Sequence, residues 1–352
     1  MSGFVSARGG RLTMRRLVIV LGACAAICAI VAVLAPLIGV ASDASGRSLE
    51  LLGFDALHRG TEAHKIFAVR LPRVLASLLI GGALAGAGCA LQALLRNPLA
   101  DPFTLGISSG SSLAAVIAIR LGVEASFGGG GVGAAALLGA IGTVFLVERL
   151  ARIGRQLPPA TLVLAGVTIS MFCSSVSVVI QATSDFTDVS HMLAWMMGGL
   201  DAVRLVRVEW AALPILGGLL VLWLYGRELN ALAAGPEVAA SLGVSVVRTQ
   251  TIVFAITSLL VGLAIALAGP IGFIGLVVPH ALRSILGPDH RVLLPASIFG
   301  GAVLLTICDT LARTVIAPAH LPTGAVTAVL GGPFFIAILM KQKQRAALWG
   351  RG

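Results

Sequence analysis

Charge is scarce in this chain. Asp, Glu, Lys and Arg make up 11% of its 352 residues, against 57% hydrophobic ones. A soluble domain is about 25% charged and about 45–50% apolar, and a water-soluble globule of this length could not hide so much apolar surface. Soluble enzymes, disordered chains and disulfide scaffolds are excluded together. Lysine occurs only at Lys65, Lys341 and Lys343, none of them after a glycine-rich loop. A Walker A phosphate cradle is therefore absent, and any ATP driving this protein must be hydrolysed on another polypeptide. The five cysteines (Cys24, Cys28, Cys89, Cys173, Cys308) lie inside apolar segments and form no Cys-x-x-Cys pair. They read as small buried side chains, not as metal ligands or disulfides. Aromatics are also few, at 5%.

What the chain does have is glycine, 43 residues of it, and long apolar runs. Small residues let membrane helices approach closely, and a spanning helix needs roughly 20 apolar residues. About ten such segments are expected, near residues 17–40, 70–94, 103–121, 130–150, 159–183, 205–225, 248–269, 271–286, 292–314 and 323–340. The eighth is short and carries Pro279. The first follows Arg8, Arg11, Arg15 and Arg16 like a signal peptide, but its apolar run is too long for one, and it reads as an uncleaved span. The net charge of +10 is a matter of placement and not of nucleic-acid binding. Lys and Arg concentrate on the side holding both termini, which the positive-inside rule makes cytoplasmic. The expected fold is an all-α integral membrane protein, with residues 1–352 as one membrane domain embedded in the lipid bilayer.

Several stretches depart from plain apolar helix. Arg70 and Arg73, in RLPR, fall on the external side, against the charge bias and at what reads as a helix N-terminus, with Pro72 in the first turn. They are either snorkelling interfacial arginines or a positive patch for an acidic partner. Asp309 is the clearest carboxylate inside an apolar run, a functional suspect by position, and Arg313 at i+4 is its ready partner as a structural ion pair. Asn97-Pro98-Leu99 closes the second span, and with Pro102 it forbids a continuous helix, giving either a tight connection or a rigid gate. Ser170, Ser174, Ser177, Gln181 and Ser184 step by four and three along the fifth span and share one face, which lines a helix interface or a water-filled path. Residues 227–247 read as two short cytoplasmic helices broken at Gly235-Pro236 and ended by Gly243. Glu228, Glu237 and Ser241 there suit docking to a cytoplasmic protein better than a basic membrane anchor.

Taken together these residues resemble the FecCD-type permeases of binding-protein-dependent ABC importers for iron chelates, haem and cobalamin. RLPR, LQALLRNPLADPFTLGISSG, ALAAGPEVAASLGV, ALAGPIGFIGLVVPHALRSILGPDHRVLLPAS, CDTLAR and LPTGAVTAVLGGPFF carry the resemblance, over about residues 66–340. It implies a homodimer with the path on the two-fold axis, two cytoplasmic ATPase subunits holding ATP and magnesium, and a periplasmic or lipoprotein binding protein. No cofactor on this chain and no nucleic acid are implied, and the location is the bacterial inner membrane. By the same resemblance Arg70, Arg73 and Arg313 meet the binding protein, Asn97, Pro98 and Leu99 contribute a cytoplasmic gate, the fifth-span stripe lines the path, and the 227–247 pair, with Glu228, Gly235, Pro236, Glu237, Ser241 and Gly243, couples to the ATPase. Leu157-Pro158-Pro159 stands where relatives place a second, hydroxyl-bearing gate, which is not carried over. Family frequency favours a ferric-siderophore cargo, with cobalamin or haem as the alternative; the external HMLAWMMGG resembles cobalamin importers. An ion-coupled secondary transporter would need more buried ionisable groups than Asp309, and a haem electron carrier more than the lone His280.

Overall fold

The computed structural model describes residues 14–43, 46–52, 61–123, 130–154, 156–201, 203–317 and 319–349. The first arginines of the chain, Arg8 and Arg11, lie outside them. Among the described residues the chain is a bundle of α-helices with one small hairpin: α1 (Met14–Leu34), β1 (Ile38–Asp43), β2 (Gly46–Leu51), α2 (Glu62–Leu94), a 3-10 turn (Pro102–Leu105), α3 (Ile107–Arg120), α4 (Gly131–Ala151), α5 (Pro159–Ala182), α6 (Phe186–Met196), α7 (Leu205–Leu224), α8 (Gly226–Ala234), α9 (Pro236–Ser241), α10 (Val246–Ala268), α11 (Ile274–Leu286), α12 (His290–Thr314) and α13 (Thr323–Trp349). Each of the ten expected segments carries a helix. Seven helices (α1, α2, α4, α5, α7, α10 and α12) are long and apolar enough to cross a membrane; α3, α11 and the apolar part of α13 are shorter.

The boundaries differ from the sequence expectation in three places. Pro36 stops α1 before residue 40, because it has no N–H to continue the ladder, and the chain turns into an antiparallel hairpin in which Ile38 pairs with Leu51 and Asp43 with Gly46. The external loop thus carries a β-ribbon. The second helix starts at Glu62, where the Thr61 side chain accepts a bond from His64 N. Pro72 is therefore inside the helix and not in its first turn, and Arg70 and Arg73 lie well beyond its positive end. On the inner side the 3-10 turn delays α3 to Ile107, with Asp101 capping it by accepting from Phe103 N at 2.9 Å.

The centre of the bundle is α2. Of its apolar window 83% is buried, and it packs against α7, α8, α10, α11 and, most extensively, α12. Lipid tails are as apolar as leucine, so helices in a bilayer gain from close backbone approach, not from hiding grease. Glycine makes that approach possible. A Cβ on Gly81 would lie 2.8 Å from the carbonyl carbon of Gly301 in α12, and one on Gly88 would lie 2.6 Å from the Cα of Gly275 in α11. Small polar groups reinforce the seam: Ser77 and Thr306 share a hydrogen bond at 2.8 Å between α2 and α12. By contrast, none of the α1 window is buried, and α1 packs chiefly on α12.

Gly88→Ala is expected to push α2 off α11 and to destabilise the protein by about 1–3 kcal/mol, the usual cost of overpacking. Gly142→Ala, on a face of α4 with open space around it, should be neutral. Thermal unfolding of both variants in detergent checks the difference.

Candidate functional site

Two polar constellations interrupt the apolar bundle, one at each end. The outer one is centred on Asp309 of α12, 1% exposed. The Nε of Arg73 donates to both of its carboxylate oxygens, at 2.8 and 2.9 Å, and Thr323 Oγ1 at the start of α13 donates at 3.0 Å. Arg313 stands 3.5 Å from the same carboxylate. Arg73 also pairs with Asp201, in the segment after α6. Arg313 donates to the carbonyls of Ala35, at 3.0 Å, and Ile38, at 3.3 Å, and Arg70 to that of Pro36 at 3.4 Å. Backbone bonds tie in the rest of this end: Gly199 N to Ala268 O, and Gly324 N to Gly198 O. The cluster fastens the α1 terminus, α2, α12, α13 and the 198–201 segment together.

The expected Asp309–Arg313 pair is present, and shorter bonds to the same carboxylate come from Arg73, on a helix that sequence spacing does not connect with Asp309. Arg73 and Arg313 are each only 8% exposed in this chain, since a carboxylate buried among helices calls for neutralisation by its own chain. Arg70 is half-buried at the edge of the cluster.

At the inner end, Leu95 closes α2, Arg96 takes a left-handed conformation (φ +51), and Asn97 Oδ1 accepts from Leu99 N at 3.0 Å. This Asx turn exposes Arg96, Asn97 and Pro98. Burial pushes the Asp101 carboxyl up to about 6 from the ordinary 3.8, against its bond from Phe103 N. Beside the turn lie the two short helices expected at 227–247. Gly235, at φ +127, breaks them, and Gly243, at φ +80, ends the second. Pro236, Glu237, Val238, Ser241 and Leu242 are exposed, whereas Leu229, Leu232 and Ala239 are buried. Glu228 is half-buried. The pair offers an apolar face rimmed by polar groups to the inner aqueous side.

Sequence reasoning missed what holds the first of these helices. Asn230 of α8 donates from Nδ2 to Asp289 Oδ1 at 2.8 Å and accepts on Oδ1 from the backbone N–H of His290 at 2.8 Å. Asp289 caps α12 and is held by Arg291, Nη2 to Oδ2 at 2.7 Å. That bond, with help from Asn230, lowers the Asp289 carboxyl to about 2. Asn, Asp and His at these spacings carry no distinctive pattern, so only the fold brings them together. Behind the Asx turn is a cavity of about 650 Å³ lined by Gln92, Arg96, Asn230, Arg283, Asp289 and His290, among others.

The polar stripe on α5 is divided. Ser177 is buried and bonds its own backbone at Cys173 O, Ser184 bonds Ile180 O, and Gln181 contacts Met196 Sδ at 3.4 Å. Ser174 is exposed, and Ser170 and Gln181 are half-buried. The stripe runs along the border between the packed face of α5 and its open face. Among the described residues there is no group of three or more His, Cys, Asp or Glu that could hold a metal.

A bundle of apolar helices long enough to span a bilayer, with an internally neutralised polar cluster, is the framework of an integral membrane protein. Residues 23–341 match the FecCD transport family, and the chain belongs to that family. It is 41% identical over 280 residues to the cobalamin import system permease protein BtuC of Halobacterium salinarum, covering 79% of this chain and 74% of that one. It is 40% identical over 279 residues to the vitamin B12 import system permease protein BtuC of Escherichia coli, covering 79% and 84%. A solved inward-facing conformation of a metal-chelate type ABC transporter superposes with a TM-score of 0.79 at 28% identity, covering 92% of this chain and 99% of that chain. The protein is therefore a multi-pass inner-membrane permease subunit of an ABC importer, a transport component whose ATPase activity resides in separate subunits.

Asp309→Ala would leave Arg73 with Asp201 alone and Arg313 with backbone carbonyls alone, two buried cations without their shared carboxylate, and a loss of about 3–5 kcal/mol is expected, against a small effect for Asp201→Ala, whose side chain is 51% exposed; comparative thermal unfolding checks this. Asp101 binds its proton more tightly folded than unfolded. Its contribution is thus greatest below the ordinary value of 3.8 and is lost as pH rises to about 6. Asp101→Asn keeps the cap and should flatten the stability–pH curve across that interval.

Proposed function

We propose that this chain forms the translocation path for cobalamin. The observation that carries the reading is the 40–41% identity to two cobalamin permeases over four-fifths of the chain. That is stronger support than family frequency, which favours the ferric-siderophore cargo expected from sequence. The working unit is a homodimer with the path on its axis, two ATPase subunits below and a substrate-binding protein above. The permease itself binds no cofactor; ATP and magnesium belong to the ATPase.

Within this reading Asn97, Pro98 and Leu99 close the path on the inner side. Two features favour a gate there: the Asx turn is stiff, and it is seated between helix ends, not within one helix. The exposed face of α9, with Glu237 and Ser241, receives the ATPase. Movement there reaches the bundle through Asn230 and Asp289, because α8 is bonded to the first turn of α12. The half-open face of α5, with Ser170, Ser174, Gln181 and Ser184, borders the path, and Ser177 supports it from behind. The binding protein meets the surface that the Asp309 cluster holds rigid, with Arg70 at its edge. Alternating access then needs only that the two states of the dimer differ in their affinity for cargo and for ATP-closed partners.

Vesicles reconstituted with the permease, its ATPase and its binding protein should accumulate radiolabelled cyanocobalamin when ATP is supplied. Accumulation of a ferric siderophore without cobalamin would overturn the cargo assignment.

A further inference from the structure

A second space in the protein is the chemical opposite of the polar inner cavity. It is a cleft of about 480 Å³ between α11, α12 and α13. Two helices turn faces to it at helical spacing: Phe273, Val277 and Ala281 from α11, and Gly300, Leu304 and Cys308 from α12. Thr327, Leu330, Gly331 and Phe334 close the third side from α13. Its shape follows from one crossing. Phe273, in the left-handed conformation (φ +69), immediately precedes α11 and sits where Gly331 has no side chain; a Cβ on Gly331 would lie 2.4 Å from that of Phe273. Past this wedge, Ala281 and Gly300 put little bulk between the helices, and the cleft opens. Gly300 and Cys308 stand roughly 15 and 27 Å along α12 from its inner end, within a hydrocarbon core about 30 Å thick.

The lining decides what can fill the cleft. Its hydroxyl, on Thr327, already donates to Gly324 O at 2.9 Å, and its thiol, on Cys308, is only a weak donor. A buried water needs about two to four polar partners, so the cleft does not suit water. Left empty, it would forfeit the dispersion contacts of every group that lines it. An apolar cavity of about 150 Å³ takes up one benzene. On that scale about 480 Å³ takes roughly twenty carbons, the size of one lipid tail. Phe273, Val277 and Leu304 are half-buried, and Leu330 and Phe334 are exposed, so the cleft is open along its side at a depth where tails are the solvent. A second copy of the chain would bring a convex helix face to that opening and leave the recess behind it unfilled.

We propose that this cleft is a binding site for one phospholipid acyl tail, lying along α11 and under α13. Because α13 packs chiefly on α12 and α11, the tail would complete its seat, and the last helix of the bundle would take its position partly from the bilayer. The site belongs to the single chain and rests neither on the identity of the cargo nor on the gate.

The test uses the full-length permease in phosphatidylcholine vesicles doped with a phosphatidylcholine that carries a diazirine midway along one tail. After illumination the labelled peptides are located by mass spectrometry, with Leu213 of α7, 82% exposed, reporting ordinary lipid contact. Label on Val277, Ala281 or Leu304 that saturates as the probe fraction rises, while label at Leu213 keeps rising in proportion, supports the site. Ala281→Phe/Leu304→Phe, which fills the cleft, should lower the cleft label about tenfold and leave Leu213 unchanged. Cleft label that rises in proportion as at Leu213, or that survives the filling substitutions, overturns the proposal and leaves only surface solvation by lipid. Absence of label in the cleft also overturns it, and is the outcome expected if a second copy covers that face. Should the filled variant not fold, the saturation curve of the wild-type chain decides by itself.

Discussion

A carboxylate placed among membrane helices has to find its counter-charge within the protein, and that requirement organises the outer half of this molecule. Asp309 draws Arg73 from α2, Arg313 from its own helix and Thr323 from α13. The arginines in turn take up Asp201 and the backbone carbonyls behind α1. Removing Asp309 or either buried arginine strips a buried group of its partners, so the elements are held as a set. Such a cluster confers position more than net stability, because desolvation offsets much of the attraction.

Beneath the cluster, packing takes over from charge. The α2 helix can lie against α11 and α12 only because glycines stand where the backbones meet. The inner end reverses the emphasis again: short helices, an Asx turn and a polar cavity replace the close-packed seam. The molecule is thus tied together at its outer end, close-packed at its centre and more open at its inner end.

Much of this was legible in the sequence, for identifiable reasons. Apolar runs set the helices, since lipid demands internally bonded backbone, and Gly235-Pro236 marked the break between α8 and α9 because proline cannot continue a ladder. The start of α2 was not legible: residues 62–69 are too polar to read as membrane, and only the Thr61 cap reveals that the helix begins there. The β1–β2 hairpin was missed because its alternation is short and lies between longer signals. Spacing pointed Asp309 to Arg313, the local choice, whereas its better partner, Arg73, lies 236 positions away. The α5 periodicity marks a stripe, but one helix cannot state what its neighbours cover, and Ser177 is buried where Ser174 is exposed. Asn230 and His290 gave no signal at all, because their significance lies in bonds that only the fold closes, from Asn230 to Asp289 and from the His290 backbone to Asn230.

The peripheral seat of α1 bears on how the chain is made. Its chief partner, α12, lies far along the chain, so α1 leaves the ribosome long before that partner is made and rests in lipid until then. A body from Leu17 to Leu34 with no ionisable side chain except cysteine thiols is suited to that wait, and the arginine that α12 later extends to the carbonyls of Ala35 and Ile38 acts as a latch that closes only once α12 has joined the bundle.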